Sequence, residues 1–188
     1  MSSRARAGLP TKRFDTASAP DPGRPDEETT AMQKITPCLW YDGRAKEAAE
    51  HYVAIFGGEA GDSRVLDVTH YGEAGPGRAG DVLTVSFRLA GQEFMGLNGG
   101  PQFPFTEAIS LSVDCADQAE VDRLWAALSE GGEESQCGWL KDRYGVSWQI
   151  VPRELPGLLA DPDPAKAERT MKAMLGMRKL DIQALRDA

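Results

Sequence analysis

This chain of 188 residues is short of histidine, cysteine and unbroken apolar sequence. It has two histidines, His51 and His70, and three cysteines, Cys38, Cys115 and Cys137. The cysteine count is odd and no pair has CxxC spacing, so neither a disulfide framework nor a zinc knuckle is indicated. Small thiols in a reducing cytoplasm are the expectation. No stretch is long and apolar enough for a membrane span or a signal-peptide core. Positive charge is also in deficit: 21 Lys and Arg stand against 29 Asp and Glu, for a net charge of -8 and a pI near 4.8. Proteins that grip phosphate backbones gather Lys and Arg on one face, and no such run is present, so nucleic acid is excluded as a partner. Small molecules or proteins remain. The length suits one domain with a real core, or two small modules fused into one.

Residues 1–31 differ in composition from the rest. Pro, Ala, Asp, Arg and Ser dominate, Phe14 is the one aromatic residue, and neither a period of 2 nor one of 3.6 is found. That is the pattern of a disordered tail. Its basic residues (Arg4, Arg6, Lys12, Arg13, Arg24) are matched by acids (Asp15, Asp21, Asp26, Glu27, Glu28), so it makes neither a basic arm nor a transit peptide. Met32 opens the ordered sequence and is expected to be a start from which the chain folds unaided.

From there the pattern is written twice. Residues 34–41 (KITPCLWY) read as a strand, followed by a turn at Asp42-Gly43 with Asp42 as N-cap. A helix then buries Ala45, Ala48, Ala49, Tyr52, Val53, Ile55 and Phe56 before Gly57-Gly58 stops it. Residues 64–71 (RVLDVTHY) alternate as a strand. A Gly/Pro-rich loop leads to residues 81–89 and 92–97, a hairpin joined at Ala90-Gly91. The second copy begins with a strand over residues 107–114. Asp117 and Glu120 give a capping-box start to a helix with Val121, Leu124, Trp125 and Leu128 on its buried stripe. Gly131-Gly132 ends that helix, and strands follow at residues 133–140 and 146–151. Strand, capped helix, Gly-Gly stop and strands thus recur in order, which points to a duplicated βαβββ module. The modules cover residues 34–100 and 107–152. A helical extension follows at 153–177, with Asp163 as N-cap and an apolar edge of Met171, Met174, Leu175 and Arg178, and a tail at 178–188.

The stretches TPCLWYDGRAKEAAEHY, NGGPQFPF, SLSVDC and GWLKDRYGVSWQIVP resemble the PhnB-like branch of the glyoxalase/bleomycin-resistance, or vicinal oxygen chelate, superfamily. The resemblance runs from Met32 to about Met177. It implies an α+β fold of two βαβββ modules whose curled mixed sheets surround a cavity, plus C-terminal helices, commonly as a homodimer. Chains of this branch often carry the description 3-demethylubiquinone-9 3-methyltransferase. Binding S-adenosylmethionine usually takes a glycine-rich loop between a first strand and its helix, and no such loop is found. The glycines of residues 96–100 follow a hairpin strand and precede Pro101 and Pro104.

Catalytic members of the superfamily hold a divalent ion with His or Glu from the first and last strands of each module. Carried onto this sequence, those positions fall at Pro37, near Met95 or Leu97, at Ser110 and at Gln149. None is a strong ligand. His51 and His70 read as ordinary surface histidines, and no cysteine has a visible neighbouring base, so neither a metal, a cofactor nor a thiol nucleophile is expected. What the resemblance leaves is a cavity whose polar groups are Ser110, Ser112, Gln149 and Asn98 among Trp40, Met95, Phe103, Phe105, Trp139 and Trp148. Those ten residues are the candidate site for a small organic ligand. The reading that follows is a metal-free binding protein in the cytoplasm. The alternative is a metal-dependent lyase, isomerase or dioxygenase, or the methyltransferase of the family's description.

Overall fold

The computed structural model of the chain describes residues 33–57 and 62–188. The tail expected over residues 1–31, the start at Met32 and Gly58 of the helix stop lie outside them. The first module runs β1 (Cys38–Tyr41), α1 (Ala45–Phe56), β2 (Arg64–His70), β3 (Val82–Leu89) and β4 (Gln92–Asn98). The second runs β5 (Leu111–Cys115), α2 (Gln118–Ser129), β6 (Glu133–Glu134), β7 (Trp139–Lys141) and β8 (Ser147–Pro152). Three short helices close the chain: α3 (Leu155–Leu159), α4 (Pro164–Leu175) and α5 (Ile182–Arg186). Among the described residues no helix is long and apolar enough to cross a membrane.

The duplication is exact in topology. The sheets have the orders β1-β4-β3-β2 and β5-β8-β7-β6, and in each the first strand pairs parallel with the last. A parallel pair needs a crossover, which α1 and α2 supply. The fold is therefore the expected α+β arrangement of two βαβββ modules, but the sheets remain separate and do not close into a barrel.

Each helix covers one face of its sheet. Ala45, Ala48, Ala49 and Tyr52 of α1 pack on Val85, Phe87 and Phe94. Gly96 makes the close approach possible, because a Cβ there would lie 2.9 Å from Val85 Cγ1 and 3.1 Å from Ala45 Cβ. On the second sheet, Val121, Leu124, Trp125 and Leu128 of α2 join Leu140, Trp148 and Ile150 in the same continuous core. Trp148 ties the modules together: its ring lies 5.3 Å from that of Tyr52 and stacks on that of Phe56 at 5.6 Å, both on α1.

At this seam sits Asp142, a carboxylate only 3% exposed. Its Oδ1 accepts hydrogen bonds from the amides of Tyr144 (2.8 Å) and Val146 (3.0 Å), which shapes the turn before β8. Its Oδ2 accepts from Tyr52 Oη (2.6 Å) and Trp148 Nε1 (2.8 Å). Burial, reinforced by the neighbouring Tyr41 and Asp142, pushes the Tyr52 phenol well above its ordinary range, so it stays a donor. A buried carboxylate is tolerable only when its lone pairs are occupied, and here four donors occupy them.

Several local expectations give way. The cap of α1 is not Asp42: Arg44 holds the N-cap position without a side-chain bond, and the Ala45 amide donates to Asn98 Oδ1 at 2.9 Å, from β4. The strand expected over residues 133–140 is two, β6 and β7, because Cys137 (φ +57°) and Gly138 (φ +83°) turn the chain back on itself. That break completes the second βαβββ set. On α2 the Asp117 cap stands as expected, accepting from the Glu120 amide at 2.9 Å, while Glu120 Oε2 accepts from Ala116 N at 2.8 Å.

The C-terminal helices also differ from expectation. Residues 178–188 are not a tail, since Leu180, Ile182 and Leu185 are buried. The backbone from Met177 to Arg178 accepts from the amides of Cys137 (2.8 Å) and Gly138 (2.7 Å), and Gln118 clasps Leu180 O and Ile182 N. On α4 the expected edge is exposed at Met171 and Leu175. Thr170 is the buried residue, donating through Oγ1 to Leu185 O at 3.4 Å.

Replacing Asp142 by Ala would leave two buried side-chain donors and two turn amides without their acceptor, a loss of about 3 kcal/mol or more. Tyr52→Phe removes one donor and is expected to cost about 1 kcal/mol. Urea unfolding followed by tryptophan fluorescence measures both. A D142A protein within about 1 kcal/mol of the parent would show that the carboxylate does not hold the seam.

Candidate functional site

Strand alternation gives each sheet a second face, turned away from its helix. On the first sheet this face carries Cys38, Met95 and Ser86 in one row and Trp40, Leu97 and Thr84 in the next. On the second it carries Ser112, Gln149 and Trp139 in one row and Ser147, Lys141 and Glu133 in another. Neither face is covered by α1 or α2. Met95, in mid-strand, is 36% exposed, which is unusual for an apolar side chain at the centre of a sheet.

The ten candidate residues do not form one cavity. Met95 and Trp40 belong to the first open face, and Ser112, Trp139 and Gln149 to the second, where Gln149 Nε2 donates to Ser110 Oγ at 2.8 Å. Trp40 also turns toward the linker between the modules. Its Nε1 donates to Gly100 O at 2.8 Å and its ring meets Phe103 edge-on at 5.0 Å. Gly99 has to be glycine there, because a Cβ would lie 2.1 Å from the Trp40 ring. Phe105 packs on Tyr41 at 5.2 Å. Asn98 and Trp148 have structural work: Asn98 caps α1 and donates through Nδ2 to Val82 O at 3.0 Å, while Trp148 is bound to Asp142 in the core.

The positions that the resemblance gives to metal ligands are Pro37, Ser110 and Gln149, with a fourth near Met95 or Leu97. The Met95 amide donates to Pro37 O at 2.9 Å, and Gln149 bonds Ser110, so each module brings its own two positions together. The donors at those positions are a carbonyl already in use, a thioether if the second position is Met95, a hydroxyl and a carboxamide. Such a set does not fit a divalent ion, which in this setting needs imidazole or carboxylate. Among the described residues no three His, Cys, Asp or Glu side chains converge elsewhere in a metal-holding group. S-adenosylmethionine fits no better, because β1 and α1 are joined by Asp42-Gly43-Arg44 alone, with no run of glycine amides to receive it.

The remaining reactive groups are held quiet. Burial pushes the Cys115 thiol up to about 12 and raises that of Cys38, so neither is a thiolate at neutral pH. His70 is exposed at the end of β2. His51 is half-buried between the Tyr144 and Tyr52 rings, 5.7 and 6.1 Å away, and its Nε2 has no partner. Burial is the main cause that lowers its pKa, with the Arg143 charge adding to it against Asp142, Glu130 and Glu47. Residues that sequence reasoning did not single out are Arg44, Arg143 and Tyr144, which the fold brings together although residues 44 and 143 lie 99 positions apart. No periodic pattern reports such a meeting.

The family profile described as 3-demethylubiquinone-9 3-methyltransferase matches residues 33–151. Among solved structures, the chain is similar to a putative 3-demethylubiquinone-9 3-methyltransferase, a PhnB protein from Bacillus cereus, at 36% identity and a TM-score of 0.57. That similarity covers 64% of this chain and 99% of the other. Protein PA1353 from Pseudomonas aeruginosa shares the fold at 24% identity and a TM-score of 0.52, over 64% of this chain and 97% of its own. No curated protein matches the chain.

Protonating His51 would place a charge in a half-buried aromatic setting next to Arg143. Its folded pKa lies below the unfolded value, so its share of stability is complete above about pH 6.5 and declines as pH falls through that value toward the folded pKa. Thermal unfolding between pH 5 and 8 should show a decline on the acid side that His51→Gln reduces. An unchanged decline in the variant would clear His51 of that role.

Proposed function

The chain belongs to the PhnB-like family described as 3-demethylubiquinone-9 3-methyltransferase, and we propose that it is a metal-free small-molecule-binding protein and neither a methyltransferase nor a metal enzyme. The observation that carries this reading is the Gln149–Ser110 hydrogen bond of 2.8 Å. Where a metal member of the superfamily would offer a carboxylate to an ion, this chain offers a neutral amide oxygen and a hydroxyl to an organic ligand. With Nε2 committed to Ser110, Gln149 Oε1 is left to accept from a ligand N–H or O–H. The Trp139 side chain in the same row supplies apolar contact, and Ser112 a second hydroxyl. Metal and cofactor are absent from the scheme because the donor set is wrong for the first and no glycine-rich turn receives the second.

The two open faces favour a homodimer. An apolar Met95 in mid-strand, with Trp40 two residues from its pairing partner Cys38, makes a surface that a second copy would cover more favourably than water. The ligand would then lie between the open face of one module and a facing surface of the partner.

Thermal-shift screening against a broad panel of small organic acids, phenols and amides tests the binding reading. At least one compound is expected to raise the melting temperature of the parent protein and to lose most of that shift in Gln149→Leu. A panel that stabilises neither protein, or that stabilises both equally, contradicts it.

A further inference from the structure

A cavity of about 350 Å³ lies where four separate segments meet: the end of β1, the start of α1, the linker between the modules and the turn over residues 143–145. Five aromatic residues line it, Trp40, Tyr41, Phe103, Phe105 and Tyr144, and none of Ser110, Ser112, Trp139 or Gln149 does. Two cations reach it, Arg44 and Arg143, against the single acid Asp42. The lining is thus net positive in a chain whose net charge is -8.

The arginines are held in place from outside. Glu47 binds Arg44 through Nε (3.0 Å) and Nη2 (2.7 Å), and Glu130 lies 3.1 Å from Arg143 Nη2, but neither glutamate lines the cavity. The Arg44 guanidinium is stacked over the Tyr144 ring at 4.5 Å, and its Nη1 has only a long contact to Arg143 O at 3.5 Å. That leaves Nη1 an oriented cationic donor with unused capacity, next to a flat apolar wall. Phe103 adds a second indication. It is 63% exposed on the linker yet edge-packed on Trp40, a costly placement for a large apolar ring that is left this open among the described residues.

From these facts we infer that the cavity is a binding site for a small planar aromatic anion. The ring system lies between Phe103, Trp40 and Tyr144, and the acid group meets Arg44 and Arg143. The site is separate from the Gln149 face, so it stands or falls independently of the function proposed for that face.

The probe is naphthalene-1-acetate, with naphthalene-1-acetamide as its uncharged counterpart, added to isotopically labelled full-length protein. The reporter is the Trp40 indole N–H signal, assigned by its disappearance in Trp40→Phe. The acid should shift that signal saturably and bind about tenfold tighter than the amide, as a charge-assisted bond to guanidinium would give. Phe103→Ala, at an exposed linker position that leaves the core intact, should weaken both probes. Arg44→Gln and Arg143→Gln should each cut the preference for the acid, while Gln149→Leu should leave it alone. Equal affinity for acid and amide overturns the assignment. So does a Trp40 signal that neither probe moves, or a preference that survives both arginine changes.

Discussion

One buried carboxylate joins the two halves of this molecule. Asp142 accepts from two amides of its own turn, from an indole on β8 and from a phenol on α1 of the other module. Without it the turn before β8 loses its shape and the Trp148 and Tyr52 donors would be buried without an acceptor. Because Trp148 is also the ring on which α1 of the first module packs, the same residue sets how the helices share a core. With both helices spent on that shared core, neither covers the opposite face of its sheet. The segment from Gly138 to Pro152 therefore specifies architecture first.

Much of this was legible because it rests on local chemistry. The hairpin of residues 81–89 and 92–97, the 3.6-residue stripe of α1, and the Asp117 cap with Glu120 three residues on are each decided by neighbours in sequence. What escaped depends on distant partners. Asn98, read as a polar group in a ligand site, lines a cavity beside Tyr71 and also serves as the cap of a helix 53 residues upstream. Trp148 lines a cavity with Ser110 and Ser112, as its reading as a wall implied, but its indole N–H belongs to Asp142, which no sequence pattern announced. The break between β6 and β7 escaped because Cys137 adopts a left-handed backbone that its side chain does not advertise. The final helix escaped because its apolar residues are few, and they find a core only after the chain has folded back onto residues 137–138.

The positions compared with metal ligands stand on a resemblance. Pro37, Ser110 and Gln149 were placed by resemblance alone; in the structure the Met95 amide donates to Pro37 O and Gln149 Nε2 donates to Ser110 Oγ. The side chains at those positions are neutral. The helical extension adds a feature of its own. Residues after 151 lie outside the matched family segment, and they are fastened to the second module by backbone bonds at residues 137–138 and by the Gln118 clasp.

The central proposal is that this chain binds no divalent metal. The most direct measurement is isothermal titration of chelator-treated, full-length protein with Zn, Ni, Mn and Fe(II), with elemental analysis of the protein as purified. The account predicts no stoichiometric metal in the purified protein and no saturable uptake of any of the four ions. One equivalent bound per chain, lost on replacing Gln149, would contradict it.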